Sequence, residues 1–534
     1  MPTTYAPPLP PPVRATARRR RWSFGALRRD TLANLVGRGW AALAGLVFVP
    51  LYIELLGVEA YGLVGFAAAL QVGLSLLDVG LATTLNRELA RVAADAQGGL
   101  ATPSERAALE TAARQRDLVR TLEIIYWIAA VVIVGLVELA APAIAQRWLH
   151  PDRLSTASVE NAVRLMGITI ALQFPFTLYE GGLLGIGRQV ALNVILIVGA
   201  TLRFGAVIAV LVWVSTTIEA FFIWQVGVGA VQTVAAGWLL WRSLPTAPDR
   251  PRFRRTLLVD VWRFAAGMAG ISLTAMVLTQ MDKLVVSTLL PLTEFGYYTL
   301  AASAAGILYV LFLPLFQAVF PRFARLTASG DTRALSVLYH RSAQALAALV
   351  LPTAAVLAFF SYEIMLLWTQ NTEVAIATRW VVTLFAIGTA ITGLMNVPYA
   401  LQLAAGWTKL AVYANLVAIV VLLPALVILA SRYGVVGAAA VWIVLNVGYA
   451  TVGIGIMHQR LLRGELGRWY VKDVGLPLVV SVAAAGAIRL ALPAPTGNPA
   501  MIAAVGLALV ATYVATATAT PVGRKVLRRE KWSS

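Results

Sequence analysis

Four basic side chains, Arg38, Arg164, Arg203 and Lys283, and three acidic ones, Asp78, Glu180 and Asp282, interrupt stretches that are otherwise apolar or small. A charge at a bilayer centre costs about 2.5–3.5 kcal/mol on insertion scales, so such residues face a wet cavity or a partner rather than acyl chains. The chemistry they could do differs by sign. Guanidinium groups grip anionic oxygens two at a time, so the basic set suits an anionic ligand. Carboxylates in a low-dielectric site can take up and release protons, and sodium coupling through the same three is equally compatible. A purely structural account stands beside both, with pairs such as Arg38 and Asp78 holding helices together. No catalytic constellation and no metal-ligand cluster is apparent. His150, His340 and His458 fall singly at helix ends or in loops, and the chain has no cysteine. Disulfides, thiolate metal sites and cysteine nucleophiles are thereby excluded.

The elements that must position these charges are membrane spans. Only 13% of the 534 residues are charged against 59% hydrophobic, and mean hydropathy is +0.77. Soluble proteins carry about 25% charged residues. A bilayer-crossing helix needs roughly 20 apolar residues, and such runs follow one another almost end to end. The predicted spans are 33–55, 61–84, 122–147, 159–183, 190–213, 218–241, 259–288, 295–319, 338–366, 376–403, 410–430, 435–457, 473–490 and 499–518. The run from Leu32 to Leu56 follows a basic stretch but is too long for a signal-peptide core, so it is read as a retained first span. From span midpoints at 1.5 Å per residue, Arg203 falls near the midplane and Arg38 and Asp78 roughly 9 Å inward. Arg164, Asp282 and Lys283 fall roughly 10 Å outward and Glu180 about 13 Å inward. Adjacent helical residues point about 100° apart. Asp282 and Lys283 are therefore expected to part, one toward a cavity and the other toward a neighbouring helix or outward to the interface.

The net charge of +18 does not signal nucleic acid, because 33 of the 43 Lys and Arg fall in alternate connecting segments or tails and only five in the opposite loops. That is the positive-inside pattern, with both termini in the cytoplasm of a multi-pass inner-membrane protein. Repeats refine it. LLGVEAYGLVGFAAAL (55–70) aligns with LLPLTEFGYYTLAASA (289–304), and GIGRQVALN (185–193) with GWTKLAVYAN (406–415), each at corresponding turns of a six-span unit. An even span number gives both units the same orientation. The expected fold is an all-α polytopic membrane protein of fourteen transmembrane helices, with two parallel six-helix lobes and two C-terminal helices. The expected divisions are a disordered basic tail at 1–30, a lobe at 31–243, a linker at 244–257, a lobe at 258–462, the last two helices at 463–520, and a basic tail at 521–534.

Several longer stretches resemble one family. YGLVGFAAALQVGLSLLDVGLATTLNRELAR (61–91), TQMDKLVVSTLLPLTEFGYYTLA (279–301), LPLFQAVFPRFARL (313–326) and YALQLAAGWTKLAVYANL (399–416) resemble, in order, signatures of polysaccharide flippases. These belong to the multidrug/oligosaccharidyl-lipid/polysaccharide exporter (MOP) superfamily. The resemblance implies a MATE-like arrangement and movement of a polyprenyl-diphosphate-linked oligosaccharide repeat unit between leaflets, for O-antigen, capsule or exopolysaccharide. Membrane lipids, a glycan polymerase and other glycan-assembly proteins are the implied partners. Under it, Arg38, Arg164, Arg203 and Lys283 would line a cationic cavity for the diphosphate, with Asp78, Glu180 and Asp282 as ion-coupling candidates. No cofactor is expected, since no G-x-x-x-x-G-K-[ST] loop is present to hold a nucleotide. A drug/cation antiporter of the same superfamily is the alternative, though a cationic substrate would favour an acidic lining. A polytopic glycan polymerase or ligase would need a sizeable external loop with acid/base residues, and none is predicted.

Overall fold

The computed structural model describes residues 37–75 (38 and 42 apart), 80–98, 105–257, 280–492 and 497–524 (522 apart). Arg38, Asp78, the N-terminal tail, most of the C-terminal tail and residues 259–279 of the expected seventh span therefore lie outside the described residues. Every regular element described is helical. In the first half these are α1 (Val49–Leu56), α2 (Val58–Ser75), α3 (Leu81–Gly98), α4 (Glu105–Ala143), α5 (Thr156–Gly185), α6 (Gln189–Ala200), α7 (Val207–Trp213) and α8 (Ile218–Ser243). Residues 280–289 are helical. The second half continues with α9 (Leu292–Ala305), α10 (Ile307–Ser329), α11 (Thr332–Phe359), α12 (Ser361–Thr369), α13 (Thr372–Ala404), α14 (Lys409–Gly448) and α15 (Ile454–Leu461). After it come α16 (Leu466–Arg468), α17 (Leu476–Ala491) and α18 (Asn498–Ala519).

Eleven described helices are long and apolar enough to cross a membrane, fewer than the fourteen spans expected. α2 contributes a shorter apolar helix, and the continuous run Lys409–Leu461 is broken at Gly434, whose backbone is non-helical (φ 57°, ψ −144°). The outer faces carry a belt of bare aliphatics, including Leu139, Val420 and Leu490. In water such a surface would associate; in lipid it matches its solvent.

Side-chain caps start several helices where the sequence supplies them. Ser155, Thr217, Asp331 and Asn371 each accept a hydrogen bond from the backbone N–H three residues on, which satisfies donors a helix start leaves open. The two GxxK/R turns end helices in the same way. Gly187 N–H donates to Leu184 O and Arg188 N–H to Leu183 O, while Gly406 N–H donates to Leu403 O and Trp407 N–H to Gln402 O. Both glycines have left-handed φ, 73° and 68°, which this C-terminal motif requires. Both turns use the same hydrogen-bonded geometry, although Gly406 matches Gly187 in it and Gly185 in the sequence alignment.

Packing follows the halves. One core joins Leu85, Tyr126, Phe174 and Tyr179 of the first half, and another joins Phe312, Tyr339, Val350 and Trp469 of the second. A third core crosses between them, with Leu63 and Phe66 of α2 packed among Phe295 and Tyr298 of α9 and Val381 of α13. The helices α17 and α18 dock on α11, where Tyr513 donates to Leu349 O at 2.7 Å. The 244–257 segment is fixed to α4: Asp117 accepts from Arg252 N–H at 2.8 Å and pairs with the Arg254 guanidinium at 2.5 Å.

Candidate functional site

The halves meet most closely where α2 and α9 begin, at the end of the bundle marked by Gly57. There Gly62 lies so near α9 that a Cβ on it would stand 2.7 Å from Leu292 O. Gly296, its repeat-mate, is pressed in the same way against Val58 O. Glycine lets two backbones approach where lipid supplies no hydrophobic drive. Around this contact the seam is tied by polar bonds. Leu292 N–H donates to His150 O at 2.9 Å, Trp148 Nε1–H donates to Ser287 Oγ at 3.0 Å, and Trp368 Nε1–H donates to Leu46 O at 3.1 Å. Glu59, buried, accepts the backbone N–H groups of Asp152, Arg153 and Leu154, which pins the loop that follows α4.

Less than a turn further along α2 from Gly62, a cavity of about 500 Å3 opens between the halves. Small residues of α2, from Gly65 to Val72, form one wall. The facing wall carries Thr299 and Ser303 of α9, Tyr309 of α10, Thr389 of α13 and Trp442 of α14, together with Gln280, Asp282 and Lys283. Tyr298 O–H donates to Asp282 Oδ2 at 2.8 Å, and Lys283 Nζ lies 3.6 Å from Asp282 Oδ1. That distance is an ion pair beyond hydrogen-bond reach, so Oδ1 is buried with no hydrogen bond, as is Trp442 Nε1. The wall thus brings together one ammonium, one carboxylate and one indole.

The expected charges fare unequally here. Asp282 and Lys283 both line the cavity, which corrects the expectation that they part. The lysine stem is long enough to fold its ammonium back over the neighbouring carboxylate, so side-chain reach outweighs the 100° offset. Arg164 is not a cavity cation. Its guanidinium holds Glu160 at 2.6 Å and Glu138 at 3.5 Å, on α5 itself and on α4. Arg203 sits in a π-helical turn, Thr201–Ala206, between α6 and α7 and donates to Gln232 Oε1 of α8 at 2.9 Å. It points into the first bundle and is absent from the cavity wall; among the described residues no carboxylate pairs with it. Glu180 is half-buried on α5 and likewise absent from the wall. Sequence reasoning takes Tyr298 for an interfacial anchor and passes over Trp442 and Ser303, because an aromatic or hydroxyl in a span reads as ordinary packing. The repeat could have flagged Ser303, since it lies on the same helix face as Gly296 two turns away.

A second polar cluster joins the opposite, more basic end of α11 to the segment that starts the thirteenth expected span. His340 bonds Asp473 through Nδ1 and Glu465 Oε2 through Nε2 at 3.1 Å, and Gln344 donates to Asp473 at 2.8 Å. The histidines read as helix-end residues therefore include buried ones: His458, with Tyr339 O–H at 3.2 Å from its Nε2, is also enclosed.

The family of polysaccharide biosynthesis proteins matches residues 27–327, more than half of the chain, and the MatE family matches residues 268–428. The chain belongs to the polysaccharide biosynthesis protein family. It is a member of the MOP superfamily of flippases and transporters. No curated protein matches it. Among solved structures it is similar to the lipid II flippase MurJ in an inward closed conformation, with TM-score 0.69 and 12% identity over 94% of this chain and 99% of that one. An inward-facing multidrug-resistance MATE transporter gives TM-score 0.64 and 13% identity, over 83% and 99% of the two chains. An outward-facing one gives 0.53 and 15%, over 82% and 95%. At such identities the likeness is one of fold.

Proposed function

We propose that this flippase-family member carries a polyprenyl-diphosphate-linked oligosaccharide repeat unit across the cytoplasmic membrane by alternating access, supplying O-antigen, capsule or exopolysaccharide synthesis. The observation that carries the reading is the cavity between the halves, closed at the Gly57 end by the Gly62 and Gly296 contacts and walled by Lys283, Asp282 and Trp442. In the orientation that puts the basic loops and both termini in the cytoplasm, the closed end faces outward and the cavity awaits a headgroup from within. Lys283 serves as the phosphate contact, in place of the arginine-coated vestibule expected from sequence. Asp282, 3.6 Å from the Lys283 ammonium, is the ion-coupling candidate beside that contact. A glycan polymerase and other assembly proteins are the consumers this places downstream.

A drug or cation antiporter draws support from the unbonded Asp282 oxygen. Lys283, however, already offsets that charge at 3.6 Å. Complementation decides between them. In a host lacking its own repeat-unit flippase, the wild-type chain restores surface glycan, Lys283→Gln does not, and Lys283→Arg restores part of it. Full glycan with Lys283→Gln would remove this residue from the site; drug resistance without glycan would favour the antiporter.

A further inference from the structure

A larger cavity lies elsewhere in the described protein. It is a groove of about 770 Å3 whose walls come from α11, α13, α14, α17 and the segments beside them, with no residue before Leu351. It shares no lining residue with the cavity between the halves. A site that must open and close around a carried sugar lies between parts that move apart. A groove walled by one half keeps its shape while the halves rock, which suits a resident lipid.

Its length is apolar, with side chains such as Leu394, Val474 and Leu478, and its charged groups gather at the Gly57 end. There Arg489 Nη1 donates to Glu363 Oε1 at 2.6 Å. Glu363, with only 4% of its side chain exposed, has a second oxygen, Oε2, buried without any partner. Arg379, also on the rim, stacks its guanidinium 5.6 Å from the Trp380 ring and forms no ion pair among the described residues. Three charged groups thus leave one positive charge uncompensated and one buried acceptor in want of a donor.

We propose that this groove holds an anionic glycerophospholipid with a free glycerol headgroup, of the phosphatidylglycerol type. Its acyl chains lie along the apolar walls, its phosphate meets Arg379, and a headgroup hydroxyl donates to Glu363 Oε2. One lipid charge then balances the site, and the orphaned oxygen gains its hydrogen bond. A choline headgroup has no donor for Glu363. An ethanolamine headgroup has one, but brings a second cation beside Arg489 and leaves the net positive charge in place.

The test uses the purified full-length chain in detergent, with native mass spectrometry and thermal unfolding. The probes are dioleoyl phosphatidylglycerol, its phosphatidylcholine and phosphatidylethanolamine counterparts, and a polyprenyl phosphate. Phosphatidylglycerol is expected to stay bound and to raise the unfolding temperature with concentration, as a ligand of the folded state must; the two zwitterionic lipids are not. Arg379→Gln leaves the Glu363–Arg489 pair intact and should weaken phosphatidylglycerol binding about tenfold, the loss of one charge-assisted contact. Ile387→Trp, which fills the groove, should abolish it. Equal stabilisation by phosphatidylcholine or phosphatidylethanolamine, unchanged binding in Arg379→Gln, or displacement of phosphatidylglycerol by the polyprenyl phosphate would overturn the assignment. None of these readouts depends on transport, so failure here leaves the flippase reading standing.

Discussion

Gly62 and Gly296 stand 234 positions apart at matching places in the two halves, and each is packed against the other half's backbone, Gly62 on Leu292 O and Gly296 on Val58 O. The residues they touch are themselves repeat-mates. The seam at the Gly57 end is therefore a pseudo-symmetric contact of four backbone sites, with no room for a side chain on either glycine.

A methyl group at either position should force the seam apart. Overpacking a tight contact costs about 1–3 kcal/mol, enough to shift a two-state population about fivefold or more. The chain has no cysteine, so Ser303→Cys in the cavity wall gives a single reporter. Gly62→Ala or Gly296→Ala should raise its alkylation by a membrane-impermeant reagent from the outside, both alike. Gly135→Ala, which meets nothing within 4 Å, should not. Unchanged labelling would show that the seam is not a gate.

The ion pair of Asp282 and Lys283 can be separated into structure and function. Removing one partner of a partly buried pair leaves an uncompensated charge, so Lys283→Gln and Asp282→Asn alone should each lower the amount of folded protein in the membrane. The double variant Asp282→Asn/Lys283→Gln should recover abundance but not glycan export. Recovery of export as well would mean that the pair only holds helices.

Arg203 tests the first bundle. Arg203→Ala strips the donor from Gln232 and should cost about 1–3 kcal/mol in stability. Replacing both partners, Arg203→Leu/Gln232→Leu, should return most of it, because an apolar pair leaves no buried polar group unsatisfied. With the guanidinium turned away from the cavity wall, export should follow folded protein level in both variants. Export lost from a fully stable double variant would place Arg203 on the ligand's path.

Glu465 sets a pH limit for the anchor of the thirteenth expected span. Burial pushes its carboxyl up, but the hydrogen bond from Ser336 and the charges of His340 and Arg468 outweigh that and hold it below its ordinary value. A folded-state value below the unfolded one gives stability that is present above the unfolded value and lost as pH falls through the folded one. Thermal unfolding in detergent should show a fall at acid pH that is shallower in Glu465→Gln, whose stability should already be lower at neutral pH. An identical acid limb in the variant would assign the loss to other groups.

The sequence by itself determined the class of molecule. Apolar run length, the one-sided Lys and Arg, and the paired GxxK/R turns depend on local chemistry, where each residue answers to solvent, bilayer or its own backbone. That is why the 185–193 and 406–415 turns could be matched before any contact was known. The tertiary structure decided which charges meet. Arg164 stood as a candidate cavity cation until the fold set it between Glu160 of its own helix and Glu138 of α4, and Lys283 looked divergent from Asp282 until its stem folded back. The buried bonds of His340 to Asp473 and of Glu363 Oε1 to Arg489 join residues more than a hundred positions apart. A side chain's partner is set by helix rotation and depth in the whole bundle, and apolar patterning of helices that face lipid on one side and protein on the other records neither.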